Sequence, residues 1–469
     1  MRARWLIGGA LAALTLLRLL VAARLELAPD EAYYALWAAH LQPGYYDHPP
    51  MVALFIRAGE AVFGKTALGV RLLAPFSALL GALLLWDAAD RLFPAHKPGA
   101  LAALLLNATL LIGTGAIIIT PDTPLLLFWS AALNALARVI ETGQPRWWLA
   151  AGLAMGLALL SKYTALLFLI AAFFWLLSCP WGRARLRTPW PWLAAALALL
   201  VFAPDIAWNA AHHWVSYAKQ GGRVDGFKPA RSLQFLGELV GGQLGLLTPG
   251  IFVLALAGTW RLRHAAHPAA SLLLWLTLTP AAVMFEHVLT GRVQANWMAI
   301  LYPSLLIAAA LPPAPALRRW VTPALALGFA LSGLVYVQAL TLALPLPPRL
   351  DPIALQLAGW RALTAQIAAE ATALNAPYVT ADNYALSAEL VFYGPPALRV
   401  VGFTPRWSYF TGYAPAPVAG VAGLLVTHSL TFPCHQLASL TRQAGGRVVQ
   451  PYRVCALIPG KPGREIPHP

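Results

Sequence analysis

Two acidic clusters lie in one segment near the amino terminus, at Pro29-Asp30-Glu31 and at Tyr45-Tyr46-Asp47-His48. Neighbouring carboxylates can accept a proton from an attacking hydroxyl group, and they can bind sugar hydroxyls. One acid has a simpler explanation, because a helix that begins at Pro29 favours acidic residues in its first turn. That explanation does not account for both clusters, so we expect Asp30, Glu31 and Asp47 to carry chemistry.

Basic residues of the kind that bind a departing phosphate occur elsewhere in the chain. Lys162, in Ser161-Lys162-Tyr163-Thr164, interrupts an apolar stretch, where a lysine either extends toward water or binds an anion. Lys162 and Arg292 suit a leaving phosphate, and His48 and Arg223 are further candidates. Asp122, in Thr120-Pro121-Asp122, is either a helix cap or part of the same site.

A divalent metal is a possible cofactor. Asp47 with His48 or His287 provides a carboxylate and an imidazole, which are both zinc ligands, but no complete ligand set is visible in the sequence. No other cofactor is predicted.

The elements that must position these residues are membrane helices. The 469 residues are 59% hydrophobic and only 11% charged, whereas soluble domains carry about 25% charged residues. Apolar segments of about twenty residues match the length that a helix needs to cross a bilayer. Eleven candidate spans lie near residues 6–24, 68–90, 100–118, 124–140, 147–160, 164–179, 191–208, 236–258, 269–288, 298–311 and 321–344.

The basic residues predict the orientation of these spans. The net charge of +15 does not come from a basic tract with interleaved aromatic residues, so nucleic acid is not an expected partner. With a cytoplasmic amino terminus, every inside loop is basic, as the positive-inside rule requires. Asp30, Asp47, Asp122, Lys162 and Arg292 then all lie on the opposite, outer face.

A proline-rich segment at residues 345–352 separates two predicted domains, a transmembrane catalytic domain (1–344) and a small periplasmic α/β domain (345–469). In the second we expect a helix over 360–374 and strands over 398–401 and 423–426. Cys434 and Cys455 form a disulfide there or are two separate buried thiols. The predicted fold is a polytopic α-helical membrane protein with about eleven transmembrane helices.

The order of the motifs resembles the C-type superfamily of membrane glycosyltransferases. The similar branch contains lipid A aminoarabinose transferases, lipopolysaccharide galacturonosyltransferases and, more distantly, protein O-mannosyltransferases. The motifs are Pro29-Asp30-Glu31, Tyr45-Tyr46-Asp47-His48-Pro49-Pro50, Thr120-Pro121-Asp122, Ser161-Lys162-Tyr163, Trp208-Asn209, Arg292-Val293-Gln294-Ala295-Asn296-Trp297 and Ala381-Asp382-Asn383-Tyr384. The chain departs from the aminoarabinose transferases at Asp47-His48, where those enzymes have an acid followed by lysine.

The resemblance implies an enzyme of the cytoplasmic membrane that transfers a single sugar, with inversion, from a polyprenyl-phosphate donor. The expected acceptor is lipid A or lipopolysaccharide, another envelope glycan, a glycolipid or a protein. Asp30, Glu31 and Asp47 are the expected catalytic residues. Those expected to bind the donor phosphate or substrate are His48, Lys162, Arg292, Asp122, Arg223, Tyr45, Tyr46, Tyr163 and Asn296. The alternative functions are a lipid-linked-oligosaccharide polymerase or ligase and a secondary transporter.

The predicted orientation is directly testable. Because the basic loops place the amino terminus inside and an odd number of spans places the carboxyl terminus outside, reporter fusions at the two ends should report opposite sides. Fusions at the two ends that report the same side would show an even number of crossings and refute this map.

Overall fold

The computed structural model describes residues 2–221, 229–265, 267–347, 350–402, 405–409, 421–429 and 434–457. The chain divides into two compact units. The first unit comprises Met1–Leu19, Asp47–Val52 and Leu72–Leu334, and the second comprises Leu20–Tyr46, Ala53–Arg71 and Val335–Pro469.

Helices make up nearly all of the regular structure up to residue 341. The first eleven are α1 (Arg2–Ala22), α2 (Pro29–Ala39), α3 (Met51–Phe63), α4 (Ala67–Arg71), α5 (Leu73–Leu92), α6 (Gly99–Ala108), α7 (Leu110–Gly115), α8 (Asp122–Thr142), α9 (Arg146–Leu159), α10 (Leu166–Ser178) and α11 (Pro180–Leu186). The next eight are α12 (Trp190–Ala211), α13 (Val215–Gly221), α14 (Pro229–Leu247), α15 (Pro249–Leu262), α16 (Pro268–Val288), α17 (Tyr302–Ala310), α18 (Pro315–Arg318) and α19 (Val321–Thr341). Short 3-10 helices cover Tyr163–Ala165 and Ala295–Leu301.

Several of these helices have the length and apolar composition of membrane spans, and the chain is a multi-pass membrane protein. Among the described residues six helices meet both criteria, or eight if each of two bent helix pairs is one span. The six are Arg4–Ala22, Ala67–Leu92, Asp122–Thr142, Trp190–Ala211, Pro268–Val288 and Pro315–Thr341. Three shorter apolar helices are Gly99–Ala108, Arg146–Leu159 and Ala295–Ala310. All eleven predicted spans overlap helices, whereas the number that cross a membrane stays a prediction.

The predicted span over 236–258 is not one straight helix. Helices α14 and α15 meet there at a bend of 103°. Thr248 has a φ of 69°, in the left-handed region, and Pro249 starts α15 without an N–H group to continue the hydrogen bonds of α14. The third predicted span is also divided, because the Thr109 side chain accepts a hydrogen bond from the backbone of Ile112 and so caps a new helix.

The second unit contains a four-stranded sheet. Its strands β1 (Val379–Ala381), β2 (Gly423–Thr427), β3 (His435–Ala444) and β4 (Arg447–Leu457) lie in the order β1-β2-β4-β3. β1 and β2 are parallel, and the other neighbouring pairs are antiparallel. The carboxyl-terminal helices are α20 (Pro352–Leu357), α21 (Trp360–Ala373) and α22 (Tyr384–Tyr393), with a 3-10 helix at Pro405–Tyr409. Apolar side chains of α21, α22 and the sheet share one core, which includes Leu363, Ile367, Leu390, Leu424 and Val454.

The helix predicted over 360–374 and the strand over 423–426 are confirmed as α21 and β2. The strand predicted over 398–401 was wrong, because that segment forms only an isolated bridge to Val379. Leu398, the first residue of this segment, belongs to a turn, because its backbone N–H donates to the carbonyl oxygen of Pro395. Cys434 and Cys455 form a disulfide, as one of the two alternatives predicted.

Helix α19 approaches the end of α6 at a glycine. A Cβ atom at Gly328 would overlap the carbonyl oxygen of Ala108, whereas one at Gly333 would meet nothing within 4 Å. Small residues allow helix backbones to pack closely inside membranes, where there is little hydrophobic driving force for association. Gly328 is therefore a packing residue of the first unit.

We expect Gly328→Ala to lower the free energy of unfolding by about 1–3 kcal/mol, because the added methyl group forces α19 away from α6. Gly333→Ala is the matched control in the same helix and should leave stability unchanged or raise it slightly. Thermal unfolding of the purified full chain in detergent measures both. Equal stability of the two variants would contradict the close packing at Gly328.

Candidate active site

Three predicted site residues meet in the first unit and form the Lys162 cluster, defined here as Lys162, Asp122 and Asn296. The ammonium Nζ of Lys162 donates to Oδ1 of Asp122 at 2.7 Å, and the amide Nδ2 of Asn296 donates to Oδ2 at 2.9 Å. The side chains of Lys162 and Asp122 are only 11% and 15% exposed. Both carboxylate oxygens are engaged, and the lysine has two further N–H groups for a ligand.

The three residues come from the ends of different helices. Asp122 begins α8, where a carboxylate is favoured by the helix dipole. Lys162 follows α9, and its backbone is extended, with φ −160° and ψ 138°, so the chain leaves the helix there. Asn296 lies in the 3-10 helix Ala295–Leu301. The cluster therefore depends on where each helix stops, which local sequence specifies only weakly.

An apolar cavity adjoins this cluster. Its volume is about 240 Å³, and its lining includes Asp122, Asn296 and Ser130. Asp122 and Ser130 are eight residues apart on α8, so the cavity extends for about 12 Å along that helix at 1.5 Å per residue. The apolar part of the lining includes Leu106, Leu111, Ile112, Leu126 and Leu127. A charged group and an apolar cavity thus lie side by side, as an amphipathic ligand requires.

A second lysine forms a further ion pair with Asp47. The ammonium of Lys219 contacts the Asp47 carboxylate, and the side-chain amide of Gln220 donates to the Asp47 carbonyl oxygen at 2.9 Å. Asp47 is buried, and the side chain of Lys219 is 17% exposed. Sequence reasoning missed Lys219. It lies in the same predicted outer loop as Arg223, and no local pattern distinguishes it.

The two lysine–aspartate pairs stand at the same end of α9. The backbone N–H of Met51 donates to the carbonyl oxygen of Leu160 at 2.9 Å, which ties the Asp47 segment to the residues before Lys162. The rings of Tyr217 and Tyr163 meet edge to face with centroids 5.1 Å apart, which ties the Lys219 segment to the residue after Lys162. The first unit therefore gathers two cations and two carboxylates.

Arg292 makes a different contact from the one expected. Its Nε donates to Oε2 of Glu238 at 2.7 Å, and its side chain is 70% exposed. The structure thus pairs Arg292 with Glu238, which sequence reasoning also missed. Tyr163 contacts Asp205 through its hydroxyl, with an oxygen–oxygen distance of 3.4 Å.

In the second unit, both carboxylate oxygens of Glu31 accept hydrogen bonds from a buried arginine. Arg71 donates from Nε to Oε1 of Glu31 at 2.7 Å and from Nη2 to Oε2 at 2.5 Å. Both side chains are at most 1% exposed. Arg71 also donates to the carbonyl oxygens of Ala22, Leu25 and Glu26, so it fixes the chain that enters α2. Glu31 has the geometry of a positioning residue.

Asp30, its neighbour, is exposed. The hydroxyl of Tyr384 donates to Oδ1 of Asp30 at 2.7 Å, and the guanidinium of Arg406 lies 4.0 Å from the centre of the Tyr384 ring. One acid of the pair is thus anchored and the other is presented to solvent.

The paired tyrosines have separate environments. Tyr45 is buried, and its hydroxyl donates to the carbonyl oxygen of Trp37 at 3.0 Å and accepts from the backbone N–H of Gln42 at 2.9 Å. Its ring stacks on that of Trp37. Tyr46 stacks on Tyr409 with centroids 5.4 Å apart. These contacts support a structural role for Tyr45.

The metal candidates Asp47, His48 and His287 do not form a ligand set. No three His, Cys, Asp or Glu side chains are placed to hold a metal ion within the ranges that the structure describes. His48 and His287 are both half-buried. The predicted phosphate ligand Arg223 lies outside the described residues.

Glu389 is a buried acid in α22. No role was assigned to it from the sequence. It is fully buried, and neither carboxylate oxygen has a hydrogen-bond partner among the described residues. Burial first, and then the charges of Glu26 and Glu31, raise the pKa of Glu389 well above its usual 4.5, although Arg442 and Arg71 oppose this. Burial therefore favours the neutral acid.

Comparisons with known proteins show which sequences and folds the chain resembles. Residues 47–208 match the family model described as dolichyl-phosphate-mannose-protein mannosyltransferase. The fold is similar to that of ArnT from Cupriavidus metallidurans bound to undecaprenyl phosphate, with a TM-score of 0.69 at 18% identity over 97% of this chain and 98% of that one. The chain has the fold of the C-type membrane glycosyltransferases, and the resemblance seen in its motifs is confirmed.

Two curated proteins resemble parts of the chain. The lipid A galacturonosyltransferase RgtD of Rhizobium johnstonii is 28% identical over 287 residues, which cover 58% of this chain and 58% of RgtD. The undecaprenyl phosphate-alpha-4-amino-4-deoxy-L-arabinose arabinosyl transferase of Erwinia tasmaniensis is 29% identical over 285 residues, which cover 53% of this chain and 49% of that protein. The chain thus spans about half the length of these relatives.

The buried environment of Glu389 predicts that the stability of the folded protein depends on pH. A carboxyl group whose pKa is raised on folding contributes stability below its unfolded pKa, near 4.5, and that contribution is lost as the pH rises through the folded value. Glu389→Gln is neutral at every pH, so we expect it to match the parent protein below about pH 4.5 and to be more stable at higher pH.

Thermal unfolding of the full chain from about pH 4 to about pH 9 measures this difference. The exposed Glu286→Gln is the control and should follow the parent protein throughout. A Glu389→Gln variant that is less stable than the parent at high pH would show that Glu389 is ionised and paired in the folded protein.

Proposed function

We propose that this chain transfers a single sugar from a polyprenyl-phosphate donor to an acceptor. The observation that carries the proposal is the Lys162 cluster beside an apolar cavity. A donor of this kind has an anionic phosphate next to a hydrocarbon chain, and both parts find complementary surroundings there. The two relatives and the matching family support the same chemistry, since their names refer to lipid A, to undecaprenyl phosphate and to dolichyl phosphate.

Lys162 and Lys219 are the groups that we assign to the donor phosphate. Departure of the phosphate from the anomeric carbon leaves negative charge on its oxygens, and ammonium groups held in a poorly solvated site stabilise that charge without reorganisation. Asp122 and Asp47 hold the two lysine side chains in place before the donor binds. The first isoprenoid units then occupy the cavity lined by α5 to α8.

Asp30 is the group that we assign to the acceptor. In an inverting transfer to a hydroxyl, a carboxylate takes the proton as the oxygen attacks the anomeric carbon. Asp30 is exposed and held by the Tyr384 hydroxyl, whereas Glu31 is occupied by Arg71 and positions the start of α2. An acceptor that is already an anion, such as a phosphate of lipid A, needs no base, and Asp30 would then position it.

The setting of the reaction is also part of the proposal. We propose that the chain crosses the membrane eleven times and that the proposed site residues and residues 345–469 lie on the periplasmic side, as the basic residues of the predicted inside loops favour. The acceptor is lipid A or lipopolysaccharide, another envelope glycan, a glycolipid or a protein.

We expect Lys162→Ala and Lys219→Ala each to weaken binding of undecaprenyl phosphate by about 1.5–3 kcal/mol, the value of a charged hydrogen bond. Asp122→Asn retains the Lys162 ammonium group and should lose less affinity for undecaprenyl phosphate. Arg318→Ala removes an exposed positive charge in a predicted inside loop and serves as the control. Unchanged binding by both lysine variants would show that the donor phosphate does not bind at this site.

We expect Asp30→Asn to lower turnover by about 10²-fold or more while donor binding is largely retained, because asparagine keeps the shape but cannot accept the proton. The purified variant is compared with Asp47→Asn, which loses the partner of Lys219 and should bind the donor more weakly. Near-normal turnover of the Asp30 variant, with loss only at Asp47, would transfer the catalytic role to Asp47.

A further inference from the structure

A second, open pocket lies in the first unit around Arg292, and we call it the Arg292 pocket. Its volume is about 630 Å³, and its lining includes Glu238, His287, Arg292 and Trp297. This volume lies within the roughly 300–1,000 Å³ that ligand pockets occupy. The proposed donor site does not use it, although the motif that contains Arg292 and Trp297 is one of those that define the family resemblance.

The polar groups of the pocket retain capacity for hydrogen bonds. Glu238 accepts from Nε of Arg292 at 2.7 Å and from the side-chain amide of Gln234 at 2.9 Å. The two terminal nitrogens of Arg292 make no hydrogen bond within the part of the chain that the structure describes, and the side chain is 70% exposed. A carboxylate accepts several hydrogen bonds and a guanidinium donates five, so the pair can bind several hydroxyl groups at once.

The pocket also has an aromatic wall. The rings of Trp297 and His287 lie with their centroids 5.8 Å apart and their planes inclined by 48°. An indole ring presents a large apolar surface at small conformational cost, and it suits the apolar face of a sugar ring. Glu238 and Arg292 together provide hydrogen-bond acceptors and donors, so the pocket suits a hydroxyl-rich ring.

The Arg292 pocket and the Lys162 cluster share one short helix. Within the 3-10 helix Ala295–Leu301, the side chain of Asn296 donates to Asp122, whereas the next residue, Trp297, lines the Arg292 pocket. Consecutive Cα atoms are about 3.8 Å apart, and a 3-10 helix turns by about 120° per residue. Neighbouring side chains therefore face two different sites, and the two sites are joined through adjacent residues of one helix.

We propose that the Arg292 pocket is the acceptor subsite and that it binds the sugar head group of an acceptor glycolipid. This inference rests on the proposed function, since it takes the Lys162 cluster as the donor site. Arg292 is exposed to water, where its charge is screened and adds little to stabilising a departing phosphate. The assignment thus differs from the sequence-based expectation that Arg292 binds the donor phosphate.

The test measures two binding constants for the purified full chain in lipid nanodiscs, one for undecaprenyl phosphate and one for lipid A. We expect Arg292→Gln and Trp297→Leu each to weaken lipid A binding by at least about tenfold, which corresponds to about 1.4 kcal/mol. Both should bind undecaprenyl phosphate like the parent protein. Lys162→Ala should show the opposite pattern, and Arg318→Gln should change neither constant.

Each remaining outcome overturns a specific statement. If Arg292→Gln weakens undecaprenyl phosphate binding as much as Lys162→Ala does, Arg292 belongs to the donor site. Unchanged lipid A binding by both pocket variants would show that the pocket is not the acceptor subsite, and a parent protein that binds undecaprenyl phosphate but not lipid A would refute a lipid A acceptor. Failure of the parent protein to bind undecaprenyl phosphate would refute the proposed function itself.

Discussion

A charge buried among apolar helices costs several kcal/mol unless an opposite charge or a ligand meets it, and the candidate site depends on this constraint. In the first unit, Lys162 meets Asp122 and Lys219 meets Asp47. Each pair places a carboxylate against a largely buried ammonium group. Because the ammonium group has three donors, the pairing leaves it able to bind a phosphate. Under the proposed function, these ion pairs orient the lysines for an anionic donor.

The second unit meets the same constraint in a different way. Glu31 and Arg71 are both buried, and Arg71 also donates to three backbone carbonyl oxygens before α2. Such a pair is costly to break, because removal of one partner leaves a buried charge. It therefore fixes the start of α2 and leaves Asp30 exposed. The two adjacent acids of one motif thus have different environments, since Glu31 is buried against Arg71 and Asp30 is exposed.

The sequence predicted the apolar helices and the residues of the Lys162 cluster, since twenty-residue apolar segments and isolated polar residues within them are local signals. It did not predict the bend at Thr248, because the apolar residues on both sides of Pro249 form one continuous hydrophobic window. Nor did it predict the partners Arg71, Glu238 and Lys219. They lie 40, 54 and 172 residues from Glu31, Arg292 and Asp47, so only the folded chain brings them together. Strands β3 and β4 were missed because polar residues occupy most of β3.

Mass spectrometry of a deletion strain tests whether this protein moves one sugar from a lipid phosphate. The polyprenyl-linked lipids and the envelope glycans of that strain are compared with those of the parent strain. We predict that one envelope component loses the mass of a single sugar while the polyprenyl-phosphate sugar accumulates, and that the wild-type gene reverses both changes. An unchanged envelope, or the loss of a whole oligosaccharide chain together with accumulation of a lipid-linked oligosaccharide, would contradict single-sugar transfer.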